Sequence, residues 1–128
     1  LMFQTRIESV AERLGIRVQW LDSADQVIAM DVDSHATLGP EAILVNQLTR
    51  MRSKLLIFDL ENKSITWAAW IPVLKTDPLT GQIPVICFGS HVDVGTLKAA
   101  REVGSDEVVA RSRFVTVLPK LIGKYVIS

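Results

Sequence analysis

The stretch Ser53-Lys-Leu-Leu-Ile-Phe-Asp-Leu-Glu-Asn62 is a short apolar run that stops abruptly at one acid, Asp59. A run of this length, closed by turn-forming residues, reads as a buried strand over Leu55 to Phe58. A strand of that kind in an open α/β fold delivers its last side chain to the edge of the sheet, where such folds build their sites. Asp59 is therefore the first candidate for chemistry. Its plainer role is to cap the following turn, for which an aspartate side chain is well suited.

Working outward, strand and helix patterns alternate. Towards the N-terminus, Phe3, Ile7, Val10 and Leu14 recur at helical spacing before Gly15, which predicts a helix over residues 2–14. Ile16, Val18 and Trp20 alternate with Arg17 and Gln19, the period of a half-buried strand. Residues 21–39 read as a loop with a short strand in Val27-Ile-Ala-Met30. Gly39-Pro40-Glu41 opens a helix whose buried stripe is Ile43, Leu44, Leu48 and Met51, ending near Arg52. Beyond Asp59, a helix is expected from about Ile65 to Lys75, and Asp77-Pro78 with Thr80-Gly81 closes it. Ile83-Pro-Val-Ile-Cys-Phe88 is a continuous apolar run, as in a strand covered on both faces, with its proline near the start. A helix over 93–103, a strand Glu107 to Ala110 and a last helix through Val115, Leu118, Leu121, Ile122 and Tyr125 complete the chain. Pro119 should bend that last helix or restrict it to a later start. Strands alternating with helices mean βα units around a parallel sheet.

The 128 residues suit a single domain, residues 1–128, with enough apolar content for a core. Fourteen basic side chains balance fourteen acidic ones, so no net field draws the chain to nucleic acid or anionic membranes. No apolar run approaches the roughly 18 residues that span a bilayer, and the chain reads as cytoplasmic. Cys87 is the single cysteine and sits within an apolar run, which excludes an internal disulfide and suits a small core residue.

Three segments carry a resemblance. Leu56-Ile-Phe-Asp-Leu60 resembles the third strand of response-regulator receiver domains with its phosphate-accepting aspartate. Leu74-Lys-Thr-Asp-Pro-Leu-Thr-Gly-Gln-Ile-Pro-Val-Ile86 is similar to the stretch leading into their fourth strand, and Val94-Gly-Thr-Leu-Lys-Ala-Ala-Arg-Glu-Val-Gly-Ser-Asp106 to the helix and loop beyond it. The order is right, and the matches cover roughly residues 41–125. The resemblance implies a three-layer flavodoxin-like α/β fold, a parallel sheet of five strands with helices on both faces. It also implies an acidic pair that holds Mg²⁺, a carboxylate that attacks the phosphoryl group, and a hydroxyl residue and a lysine that contact the phosphoryl oxygens.

Carried over residue by residue, Asp59 matches the phosphoacceptor and would also be a Mg²⁺ ligand. The hydroxyl position falls on Gly89, with Ser90 one residue late. The lysine position falls on Arg111, which keeps the charge but differs in shape and reach. The aromatic switch position falls on Val108, which has no ring. The first strand with its acidic pair has no counterpart ahead of the first helix. Either those acids belong to a strand preceding this sequence, or Val27-Ile-Ala-Met-Asp-Val-Asp33 fills the gap, with Asp31 and Asp33 on one face as candidate metal ligands.

Other constellations are weaker. Adjacent Ser90 and His91 cannot readily face each other as nucleophile and base beside Asp59, and no strand-turn-helix elbow exposes the serine. His35 and His91 are too far apart in sequence to argue for a metal site. No glycine-rich phosphate loop follows a strand, so no nucleotide or flavin is expected. Trp67 and Trp70, three apart, are expected to bury against the sheet. The resulting expectation is a degenerate, non-enzymatic receiver of bacterial phosphorelay type that acts by protein association. Its partners would be a sensor kinase or an output protein, a homodimer is compatible with the resemblance, and neither nucleic acid nor membrane is expected. The alternative is an active receiver phosphorylated on Asp59, and only then is Mg²⁺ implied.

Overall fold

The computed structural model of the protein describes residues 2–23, 26 and 40–127. Its elements are α1 (Met2–Arg13), α2 (Pro40–Arg50), β1 (Leu56–Asp59), α3 (Trp67–Thr76), β2 (Val85–Gly89), α4 (Val94–Glu102), β3 (Glu107–Ala110) and α5 (Arg111–Ile122), followed by a π-helical turn, Gly123–Ile127. Among the described residues the sheet has three parallel strands in the order β1-β2-β3. This is the flavodoxin-like α/β arrangement expected, with a reduced strand number.

The central strand explains the layering. Every residue of β2 is buried, so each of its faces needs a cover and each of its edges a partner. Pairing sets Leu56 beside Val85 and Asp59 beside Phe88, and Cys87 beside Val108 and Gly89 beside Ala110. On one face, Ile86 and Phe88 pack with Ile7 and Val10 of α1 and with Phe114, Leu118, Leu121 and Ile122 of α5. On the other, Val85 and Cys87 meet Leu60, Ile71 of α3 and Ala100 of α4. A third cluster, Ile43, Leu44, Val45 and Leu48 with Ile65, Trp70 and Leu74, seats α2 against α3. Trp70 is buried as expected. Trp67 is half-buried and its indole N–H donates to the Leu60 carbonyl at 3.1 Å. Burial pushes the Cys87 thiol up to about 11, against a smaller opposing effect of its hydrogen bond with Ser105.

Two sequence expectations change. Ile16, Val18 and Trp20 are half-buried and Arg17 and Gln19 exposed, so the alternation is present, but residues 16–20 join no ladder among the described residues. Period-two burial makes an extended segment; a strand also needs a neighbour at hydrogen-bonding distance. The last helix starts at Arg111, directly after β3, and runs through Pro119 to Ile122. Proline there removes one N–H near the helix end and its ring lies on an exposed position, so the buried stripe of Phe114, Leu118 and Leu121 carries the helix past it. The short strand expected in Val27–Met30, with Asp31 and Asp33, lies outside the described residues.

Three helices end alike. Ile16 and Gly15 donate to Ala11 and Glu12, Ser53 and Arg52 to Leu48 and Thr49, and Ser105 and Gly104 to Ala100 and Arg101. These paired bonds are the glycine-type closure that needs positive φ at the residue after the helix. Gly15 and Gly104 supply it at +72° and +112°, whereas Arg52 adopts +53° with a full side chain.

At the amino edge of the sheet, Asp106 accepts from Val85 N–H at 2.7 Å and from Lys75 Nζ at 3.0 Å. Nearby, the Tyr125 hydroxyl and the Lys124 ammonium donate to Glu107 Oε2. The Tyr125 bond is the larger cause and, outweighing partial burial and assisted by Lys124, holds the Glu107 carboxyl below its ordinary value. A carboxyl lowered in the folded state stabilises above its unfolded value and loses that contribution as pH falls through its folded value.

Two outcomes follow for stability. Arg52→Gly should raise the urea midpoint, stabilising by about 0.5–1 kcal/mol as left-handed strain is relieved. Tyr125→Phe should cost stability at neutral pH, with the gap to the parent protein narrowing as the urea titration is moved to lower pH and Glu107 becomes protonated in the folded state.

Candidate functional site

The carboxyl edge of the sheet gathers the residues that the sequence singled out. Asp59 ends β1, Gly89 ends β2, and Arg111 opens α5 immediately after Ala110 of β3. Parallel register alone brings the three strand ends side by side.

Arg111 dominates this edge. Its Nη2 donates to Asp59 Oδ1 at 2.6 Å, and its Nε donates to Glu61 Oε1 at 3.0 Å. Asp59 Oδ1 also accepts from the Glu61 backbone N–H at 2.9 Å, and the Asp59 carbonyl accepts from Asn62 N–H at 3.1 Å. So Asp59 does cap its own turn, as an aspartate at a strand end readily does, while holding a cation. The guanidinium carbon lies 4.8 Å from the Phe88 ring centre and 4.9 Å from that of Phe3 on α1. Partial burial tends to lower the Arg111 pKa, but its hydrogen bonds to Asp59 and Glu61 leave it raised, so the cation persists at any working pH. The two side chains of the main pair remain about a third exposed, at 34% and 36%. Exposed pairs of this kind contribute only about 0.2–1 kcal/mol, so the contact orients the groups more than it holds the fold.

Gly89 lies where the resemblance asks for a hydroxyl residue. A Cβ placed there would stand 3.3 Å from both Cβ and Cδ1 of Leu60 and 3.5 Å from Cδ2 of Leu97. The volume beside Gly89 is thus filled by Leu60, the residue after Asp59. Ser90 points its hydroxyl at its own turn, accepting from Val92 N–H at 3.4 Å. Val108 is half-buried among Leu60, Ile71, Val85, Cys87 and Ala100, on the face of the sheet packed by α3 and α4. Its short side chain serves as core. His91 is exposed in the loop after β2.

Magnesium requires several oxygen ligands in near-octahedral geometry. Both carboxylates at this edge are engaged by Arg111, and among the described residues no three His, Cys, Asp or Glu side chains come together to hold a metal. The described residues do not fit a magnesium site. Asp31 and Asp33, the other candidate ligands, lie outside them.

Sequence reasoning missed Glu61, Phe3, Phe88 and Leu60 as members of this edge. Glu61 was visible two residues after Asp59, at a spacing that suits a shared cation. Phe3 carried no local signal, because its part depends on α1 packing beside β2 and α5.

No family model and no curated protein matches the chain. Among solved structures it is similar to the receiver domain of the sensor histidine kinase PA1611 from Pseudomonas aeruginosa PAO1, determined with a magnesium ion coordinated in the active site cleft. The TM-score is 0.71 at 16% identity, covering 99% of this chain and 90% of that one. It is also similar to the phosphorylated cyanobacterial phytochrome response regulator RcpA, with a TM-score of 0.62 at 12% identity, covering 95% of this chain and 86% of that one.

The tight packing at Gly89 has a measurable consequence. Gly89→Thr should destabilise by about 1–3 kcal/mol in urea titrations, and combining it with Leu60→Ala should cost at least about 1 kcal/mol less than the two single effects summed.

Both likenesses extend over nearly the whole chain, and the parallel β1-β2-β3 sheet belongs to it: this chain has the fold of response-regulator receiver domains.

Proposed function

We propose that this protein is a receiver-like signalling module of a two-component or phosphorelay system that acts through protein association, its acceptor aspartate permanently partnered by its own arginine. The observation that carries this reading is the 2.6 Å contact between Arg111 and Asp59, reinforced by Glu61. In an active acceptor site the carboxylate must be free to attack phosphorus, and a metal must neutralise the approaching charges. Here a guanidinium with a fixed planar fork takes the place next to the carboxylate. It supplies positive charge but no open coordination positions for water or phosphate oxygens.

Three further features support the same reading. Gly89 offers no hydroxyl, and the space is taken by Leu60. Ser90 is turned to its own loop. Val108 lacks the ring whose movement would report phosphorylation. What the chain retains is the receiver scaffold, whose helices present surfaces to a sensor kinase or an output protein. Among the described residues no helix is long and apolar enough to cross a membrane. On this reading the domain is a binding partner and not an enzyme.

The active alternative keeps one specific point in its favour: Asp59 stands at the end of β1 and its side chain is partly exposed. Intact mass measured before and after incubation with acetyl phosphate and Mg²⁺ separates the two. The expected result is an unchanged mass for the parent protein. An adduct that disappears in Asp59→Asn would overturn the proposal in favour of an active receiver.

A further inference from the structure

The aromatic rings around Arg111 belong to three different elements. Phe3 lies in the first turn of α1, Phe88 in β2 and Phe114 in α5. Their centres are 5.0 Å apart for Phe3 and Phe88, 6.0 Å for Phe3 and Phe114, and 4.7 Å for the stacked pair Phe88 and Phe114. Arg111 lies over two of these rings while its donors reach Asp59 and Glu61. One guanidinium therefore joins the acceptor carboxylate to the start of the first helix.

We infer that Asp59, Arg111 and Phe3 form a coupling device in which the charge at Asp59 sets how firmly the start of α1 is held. A planar cation attracts a ring only when it lies over the ring's face. That placement is imposed by the two carboxylates, which fix the fork of Arg111 from its edge. When the Asp59 charge is removed, the shorter of the two bonds loses its ionic partner and weakens, and the guanidinium is freer to turn towards Glu61 or solvent. Phe3 then loses its cation, and the first turn of α1 keeps only its apolar contacts. Val108 cannot carry such a signal, since it is a small core residue on the opposite face of the sheet. The route runs instead to the α1 and α5 face, and α1 is suited to respond because helix ends open locally at low cost.

This coupling rests on reading Arg111 as the resident partner of Asp59. Amide hydrogen exchange on the full chain tests it, comparing the parent protein with Asp59→Asn, Arg111→Lys, Phe3→Leu and the Phe3→Leu/Asp59→Asn pair. Asp59→Asn and Arg111→Lys should each speed exchange in residues 4–12 by about threefold to tenfold, the effect of losing one partly exposed cation–π contact, with α3 and α4 unchanged. Phe3→Leu should reach the same level, and adding Asp59→Asn to it should change nothing more, because both act through one contact. Unchanged α1 exchange in the Asp59 and Arg111 variants would overturn the inference. So would equal acceleration in α3 and α4, or additive effects in the pair. Should Asp59→Asn fail to fold, Arg111→Lys decides, because it leaves the Asp59 charge in place and removes the flat cation. A phosphoryl adduct on the parent protein would remove the reading of Asp59 as permanently partnered, while exchange in the unmodified protein would still decide the coupling.

Discussion

Burial of β2 on both faces and both edges is the constraint from which the remaining architecture follows. Val85 to Gly89 are all buried, so each backbone group must pair within the sheet and each side chain must meet a helix. β1 and β3 satisfy the edges in parallel register, which requires crossover helices, and those helices cover the faces. The same register aligns the three strand ends. Asp59, Gly89 and Ala110 then stand in a row, and the residue after Ala110 is delivered to the row without any further device. The chemistry of the carboxyl edge is therefore inherited from the packing of one strand.

At that edge the departures from an active acceptor site fit one another. Arginine, unlike lysine, offers a planar fork to two carboxylates and a flat face to aromatic rings. Asp59 and Glu61 take the fork, and Phe3 and Phe88 take the face. An ammonium at the same place could satisfy one of these demands but not both. The missing side chain at Gly89 is likewise matched by Leu60, which fills the room beside the strand. The charge of Asp59 and the space beside Gly89 are thus both met by side chains from the chain itself.

Much of the fold was legible because it is written in local pattern. The stripes of α1 and α2 and the stop at Gly104 each state an element without reference to the others. The apolar run ending in Phe88 announced a strand covered twice. Residues 16–20 were misread for a physical reason: alternation reports which side chains are buried, while a strand is defined by a neighbour that the pattern does not name. The start of α5 was missed because Arg111, Ser112 and Arg113 carry no apolar stripe, and Pro119 pointed to a later helix than the packing of Phe114 and Leu118 allows.

The site was half legible. Asp59, Gly89 and Arg111 could be named as positions, because each follows a strand whose end the hydrophobic pattern marks. Their relation could not. Asp59 and Arg111 are 52 residues apart, and only the stacking of β1, β2 and β3 brings them to 2.6 Å. Phe3 is more distant still, and joins them because α1 packs on the same face as α5. By itself the sequence determined the elements, their parallel order and the edge at which charge would gather, since these depend on local periodicity and chain direction. Only the tertiary structure decided that the charge at Asp59 is met by an arginine lying over two rings, because that choice depends on contacts between elements that no local pattern encodes.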